Sequence, residues 1–351
     1  VAPSAKRSAR AFLYRAGVRL QGTIVACDAS AGSDLIFLSH AAALDARAAR
    51  ALPRARHGRR QILTTETTLA LLGAPGERLR SYALLASPGR PFALGDLRVE
   101  LFPSGHAPGA TSLLCERGGA RVVYAGVIGH GDAPAVRQAD ALCLDATFGA
   151  ARFAFPPVAE ALARVRALVV ETLSRGAHPI VLTDAPTSSL AIAMALVEAG
   201  VAVRAARPVV QAAAAYARAG LPAPPLQRFD GRLRAGEALL WPPEARDAAQ
   251  LGRLDSPTFI LATGHAADPA EVARARAEHG VALADRADFA GLLRYAEATG
   301  AREIALMNAP GDELARTLEA RGVEVYPVGP PRQIALFSGA SDPAAHVVSG
   351  V

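Results

Sequence analysis

An α/β fold is predicted by the alternation of short β-like runs with helix-periodic runs along the whole chain. An apolar content of 51% over 351 residues supplies the side chains for buried cores. Such a length can bury large cores and suits two domains or one large one. The β-like runs are 34–40, 97–102, 110–115, 120–125 and 140–144, then 179–183, 258–262, 303–307 and 324–327. Helical periodicity marks 157–174, 188–199 and 289–299, the last with Asp288 in position to cap it. This alternation calls for sheets covered by helices. The first 150 residues are denser in strands than a doubly wound domain, and the runs at 97–102, 110–115 and 120–125 read as an antiparallel meander. From about 155 to 280 the βα alternation is more regular.

Composition excludes several classes. Low hydrophobicity with high net charge is the mark of disorder, and this chain has only 20% charged residues and a net charge of +6. The most apolar stretch, Leu190 to Val203, carries Glu198, so no transmembrane helix is expected. The first residues run into no apolar leader segment, and the expectation is a cytoplasmic protein without membrane contact. Cys27, Cys115 and Cys143 are far apart and show no C-x-x-C, so neither a disulfide framework nor a thiolate zinc site is expected. They read as small buried hydrophobes. Of 38 basic residues only Lys6 is lysine, and six arginines (Arg47, Arg50, Arg54, Arg56, Arg59 and Arg60) crowd into fourteen positions. A phosphate-tracking edge, to which Arg54, Arg56, Arg59 and Arg60 would contribute, and a solvated helix face are equally good readings of that stretch. Aromatics are only 5%, with Trp241 alone of its type, which gives no platform for stacked bases.

Five landmarks occur in a telling order. Phe37-Leu-Ser-His40 ends a strand, and Pro103-Ser-Gly-His106-Ala-Pro-Gly109 follows another. Tyr124-Ala-Gly126-Val127 and Asp145-Ala-Thr-Phe-Gly149 each end a strand. Leu283-Ala-Asp285-Arg286-Ala-Asp288-Phe289 precedes Met307-Asn308-Ala309. Together these resemble the metallo-β-lactamase-fold nucleases of the β-CASP group, in particular bacterial members labelled mRNA 3′-end-processing-factor-like or ligase-associated DNA exonuclease-like. The resemblance spans about 12 to 337. It implies an αββα sandwich from 1–153, an inserted α/β cap at 154–282, a completing core segment at 283–340 and a tail at 341–351. It also implies a dinuclear zinc hydrolase of phosphodiesters, in which two metals clamp the phosphate and supply hydroxide.

Residue by residue, the family's metal site is largely replaced. His40 stands at the first ligand of the H-x-H-x-D-H loop, but Ala42, Leu44 and Asp45 stand at the other three. His106 keeps its place, and Asp145 keeps the acidic residue. Val127 stands at the bridging aspartate, Arg286 at the general-acid histidine and Asn308 at the last ligand histidine. Thr183-Asp-Ala-Pro-Thr187 replaces the family's Gly-Lys-Ala-Gln-like turn. Zinc usually needs three or four His, Cys or carboxylate ligands, and the remnants His40 and His106 are two. His130 or Asp45 are the candidates for a third, although His130 reads better as a loop residue. No cofactor is expected, and zinc is the metal should one bind. Arg286 is expected to pair with Asp145, Asp45 or both, standing in for the metal's charge; the bland alternative turns it to solvent.

The first functional reading is a degenerate homologue without zinc-dependent nuclease activity, in which Asp145, Arg286 and Asn308 are remnants of a catalytic site. Its partners would be RNA or DNA, an active paralogous nuclease, or another nucleic-acid-processing protein. The second is an active hydrolase with a rebuilt mononuclear site. A gene product without selected function is the third. Phosphate-loop, dinucleotide-fingerprint, nucleophile-elbow and H-E-x-x-H patterns are absent.

Overall fold

The computed structural model describes residues 10–31, 34–44, 52, 60–131, 134–184 and 186–330. The first six strands form one sheet in chain order: β1 (Phe12–Tyr14), β2 (Val18–Leu20), β3 (Val25–Cys27), β4 (Leu35–Phe37), β5 (Gln61–Thr64) and β6 (Ala83–Leu85). The pairs from β1 to β3 are antiparallel and those from β3 to β6 parallel. Helices α1 (Glu66–Leu71) and α2 (Ala74–Leu79) lie between β5 and β6. The strand expected at 34–40 is shorter than its pattern, since the chain leaves the sheet after Phe37 to form the loop that carries His40.

The expected meander is present. β7 (Phe92–Leu94), β8 (Leu97–Pro103), β9 (Thr111–Arg117) and β10 (Ala120–Gly126) pair antiparallel in succession, and β11 (Ala141–Asp145) adds parallel to β10. Period-two alternation divides their side chains. Leu97, Val99, Leu101, Tyr124 and Cys143 join Phe12, Val25, Cys27, Leu35 and Phe37 in one core between the two sheets. The opposite faces are covered by helices. Ile36 and Ile62 of the first sheet meet Leu69 and Leu79 of α1 and α2. Phe102, Leu114, Val123 and Leu142 of the second meet Leu292, Tyr295, Leu314 and Leu318 from two helices near the C-terminal end. The result is a four-layer α/β/β/α arrangement.

After α3 (Val158–Ser174) the chain builds a third sheet: β12 (His178–Leu182), α4 (Pro186–Glu198), β13 (Ala202–Ala205), α5 (Arg207–Arg218), β14 (Gln227–Arg228), β15 (Glu237–Trp241), β16 (Pro257–Thr263), α6 (Pro269–Arg274) and β17 (His279–Ala282). Its order is β14-β13-β15-β12-β16-β17 and all its pairs are parallel. Parallel strands buried on both faces need near-continuous apolar sequence, and Glu237–Trp241 is buried throughout. The chain then returns. Helix α7 (Phe289–Thr299), β18 (Glu303–Met307), α8 (Glu313–Glu319) and β19 (Glu324–Pro327) complete the second sheet, in the order β19-β18-β11-β10-β9-β8-β7. Leu292, Tyr295 and Ala296 of α7 and Leu314 and Leu318 of α8 cover its outer face. Asp288 caps α7 as its pattern predicts, accepting from Gly291 N–H at 2.8 Å, and Gly300 ends the helix at φ +67°.

The two passages between the second and third sheets are tied together. Asp288 also accepts from Phe155 N–H at 3.2 Å, and Phe289 N–H donates to Phe153 O at 3.2 Å. Phe148, Phe153 and Ala284 pack beside this junction in a small cluster of their own. No helix among the described residues is long and apolar enough to cross a membrane. The three cysteines are buried and share the core between the first two sheets. Burial pushes the Cys115 thiol up to about 12, and the Cys27 and Cys143 thiols well above their ordinary range. Such thiols are packing groups rather than nucleophiles.

Candidate functional site

Loops at the ends of four strands, and the segment leading into α7, bring the predicted residues together. Leu35–Phe37 is wholly buried, so β4 delivers Ser39 and His40 to the rim of the first sheet. β8 delivers His106 from the second sheet. Thr111 N–H donates to Ser39 O at 2.9 Å, which brings the two loops side by side. The His106 loop is held from outside by α1, where Thr65 and Thr68 hydroxyls both donate to Gly109 O at 2.8 Å. Gly109 sits at φ +76°, and a Cβ there would lie 2.7 Å from the Thr68 nitrogen. Only glycine permits that approach. The parallel pairing of β11 with β18 sets Asp145 opposite Met307, so Asn308 follows directly beside the carboxylate.

His40 and His106 are both buried and meet edge to face, with ring centroids 4.9 Å apart. Their Nδ1 atoms are both engaged. His106 Nδ1–H donates to the Asp285 carbonyl at 3.1 Å. Ser39 Oγ–H donates to Asp28 Oδ2 at 2.6 Å, so the 2.8 Å contact between Ser39 Oγ and His40 Nδ1 is made by the imidazole proton. Asp28 also accepts from Ser39 N–H at 2.8 Å and from the Tyr124 hydroxyl at 2.9 Å. Burial raises the Asp28 pKa, against the three hydrogen bonds that lower it. Its backbone sits at φ +46°, a region that aspartate tolerates better than most residues. The sequence reading missed Asp28. Its signal is an acid directly after the apolar run Val25–Cys27, where a strand ends.

Asp145, Arg286 and Asn308 form the other half of the site. Asn308 Nδ2 donates to Asp145 Oδ2 at 2.7 Å. Thr147 donates to Asp145 Oδ1 from its backbone at 3.1 Å and from its hydroxyl at 2.6 Å. Arg286 NH1 lies 3.5 Å from the same oxygen and donates to Thr147 Oγ1 at 3.3 Å. The pairing with Asp145 expected from sequence is therefore present, although the Arg286 side chain stays 35% exposed. Burial works to lower the Arg286 pKa, but the carboxylates of Asp145, Asp285 and Asp184 together raise it.

The other expected residues stand elsewhere or outside the described residues. His130 Nε2–H donates to Pro156 O at 3.1 Å and its ring packs on Phe155, so it anchors a loop rather than supplying a third ligand. Arg60 NH1 donates to Leu52 O at 2.9 Å. Asp45, Arg54, Arg56 and Arg59 lie outside the described residues.

These side chains do not fit a dinuclear zinc centre. Both oxygens of Asp145 already accept from side-chain donors, and Val127 offers no ligand atom. Among the described residues no group of three or more His, Cys, Asp or Glu is placed to hold a metal ion. What the site offers is a buried imidazole pair and a guanidinium paired with the Asp145 carboxylate.

His40 has a consequence for stability. Burial, then His106 and Arg286, push its pKa well below the ordinary value of 6.5. Below about pH 6.5 an unfolded chain takes up this proton while the folded chain refuses it, so stability rises with pH across that window. The expected contribution approaches about 1.4 kcal/mol per pH unit. Urea unfolding of the wild type and His40→Gln between pH 5 and 7.5 checks it: the variant should show a shallower slope, and equal slopes would refute the assignment.

No protein-family model matches the sequence. The chain is 27% identical over 289 residues to a protein of Opitutus terrae named probable DNA ligase. That similarity covers 81% of this chain and 28% of the relative, so the chain spans less than a third of that protein's length.

Proposed function

We propose that this chain is a non-catalytic relative of the metallo-β-lactamase-fold β-CASP nucleases that binds DNA in the service of strand joining. The observation that carries the reading is the state of Asp145. Where the resemblance places metal chemistry, this carboxylate is satisfied by the Asn308 amide, the Thr147 hydroxyl and the Arg286 guanidinium. The four-layer arrangement and the separate parallel sheet agree with a sandwich and an inserted cap at 154–282. The relative named as a probable DNA ligase favours DNA over RNA as the bound polymer and a ligase as the working partner. The arginines at 47–60 are the candidate phosphate contacts, and the net charge of +6 favours a polyanion.

The second reading, a mononuclear hydrolase, draws on one observation: both histidines have Nδ1 engaged, which leaves both Nε2 atoms as the free ring nitrogens. Two assays separate the readings. End-labelled DNA and RNA, incubated with the protein and zinc or manganese, should remain intact. Metal-dependent cleavage abolished by His106→Ala would establish the hydrolase instead. Fluorescence anisotropy with single-stranded, duplex and nicked DNA should show salt-dependent binding. Arg59→Ala with Arg60→Ala should weaken it and reduce the slope of log K against log salt by about 1 to 2. No DNA binding at low salt would sink the proposal.

A further inference from the structure

We infer that Arg286 is a tethered counter-cation, a permanent charge carried by the chain itself that holds the carboxylates of this pocket together in place of a metal ion. The inference rests on the metal-free reading of the site and adds what that reading requires: something must compensate the acids left behind. Asp145 and Asp285 have side chains only 6% and 9% exposed. Burying a carboxylate costs free energy unless a cation or hydrogen-bond donors compensate it. Asn308 and Thr147 give Asp145 hydrogen bonds but no charge. His106 Nδ1 is 3.7 Å from Asp285 Oδ1, but its ring proton is already directed at the Asp285 carbonyl. Among the described residues Arg286 brings permanent positive charge to this place, 3.5 Å from Asp145 and within electrostatic range of Asp285 and Asp184.

The three carboxylates come from different parts of the chain. Asp145 ends β11, Asp285 follows β17, and Asp184 follows β12 of the third sheet. One guanidinium thus acts on carboxylates from both the second and the third sheets, as a bridging ion's charge would. A planar fork with several donors can face several acceptors at once, which a monodentate group cannot. The consequence is specific. The pocket needs no divalent cation, and the guanidinium holds the ground that one would need.

Thermal unfolding of the full chain, with and without chelator or added zinc, tests this alongside zinc titration calorimetry. The wild type should take up no stoichiometric zinc, and chelator and zinc should leave its Tm unchanged. Arg286→Met should lower the Tm by a few degrees, about 3 to 6 °C. Arg286→Lys should lose less, since it keeps the charge. Adding Asp145→Asn to Arg286→Met should restore much of the loss, because it removes the stranded charge; the pair is then non-additive. If Arg286→Met does not fold, folding of the double variant supports the inference and failure of both it and Arg286→Lys overturns it. Additive effects, or a wild-type Tm for Arg286→Met, also overturn it. One firmly bound zinc per wild-type chain overturns both this inference and the metal-free reading. Loss of DNA binding in the wild type would strike the proposed function while leaving the Arg286 coupling intact.

Discussion

Asp28→Ala is expected to destabilise the protein by about 3 kcal/mol, a large effect for one side chain. Three donors converge on this carboxylate: Ser39 N–H, Ser39 Oγ–H and the Tyr124 hydroxyl. Ser39 and Tyr124 are each only 2% exposed, so no solvent replaces the lost acceptor. A buried donor left without a partner costs about 1–3 kcal/mol, and bonds to a charged acceptor are the stronger kind. Alanine also suits the φ of +46° less well than aspartate. One term works the other way, because burial raises the Asp28 pKa and removing the carboxylate relieves its desolvation. That relief keeps the estimate from rising to the sum of the lost bonds. Asp28→Asn keeps the shape and an acceptor, and should cost about half as much. Urea unfolding measures both. A loss under about 1 kcal/mol for Asp28→Ala would show that the three donors find water. The same variant should free the His40 ring, because Ser39 then has no fixed acceptor to set its hydroxyl. Nitrogen chemical shifts of His40 would report a mixed tautomer.

Gly129→Ala should be at least as damaging, at about 3 kcal/mol or more, by a steric route. A Cβ on Gly129 would lie 1.9 Å from the Gly105 carbonyl oxygen and 2.2 Å from its carbon. It would also meet His106 N at 2.9 Å. These are backbone atoms, which cannot turn aside as a flexible side chain can. Relief requires moving the His106 loop away from 128–130, which breaks the 2.9 Å bond from Gly129 N–H to Ser104 O. The His40–His106 contact would loosen with it. Gly252→Ala is the control, since nothing lies within 4 Å of its Cβ position, and it should be near neutral. Similar unfolding midpoints for the two variants would mean that the loop yields at little cost.

The legibility of the site in the sequence was uneven, and the reason is distance along the chain. His40, His106, Asp145, Arg286 and Asn308 each end or follow an apolar run, so each is visible as a polar residue at a strand or helix boundary. Their meeting is a different matter. The pairing of Arg286 with Asp145 was reached through the resemblance and the need of a buried acid for a cation, not through any local pattern. Asp28 shows no local pattern that marks its role, because Ser39 lies on another strand end 11 residues on and Tyr124 lies 96 residues on. Asp285 has no local signal of its role, and only its approach to His106, 179 residues earlier, shows what it does.

The elements themselves were determined by the sequence to the extent that local pattern specifies them. Glu303–Met307, Glu324–Pro327 and Phe289–Thr299 have the bounds their apolar periods predict, and Asp288 and Gly300 mark the limits of α7. A β-strand's period of two and a helix's period of 3.6 are properties of neighbouring residues, so a single chain displays them. Which sheet each strand joins was decided by tertiary structure. β18 and β19 return to the second sheet after more than 150 residues, beside β11, because that edge offered an apolar surface and unpaired backbone groups. The three cysteines, unremarkable in sequence, converge on one core for the same reason. Burial, and the pairing of buried charge that follows from it, are properties of the folded chain as a whole.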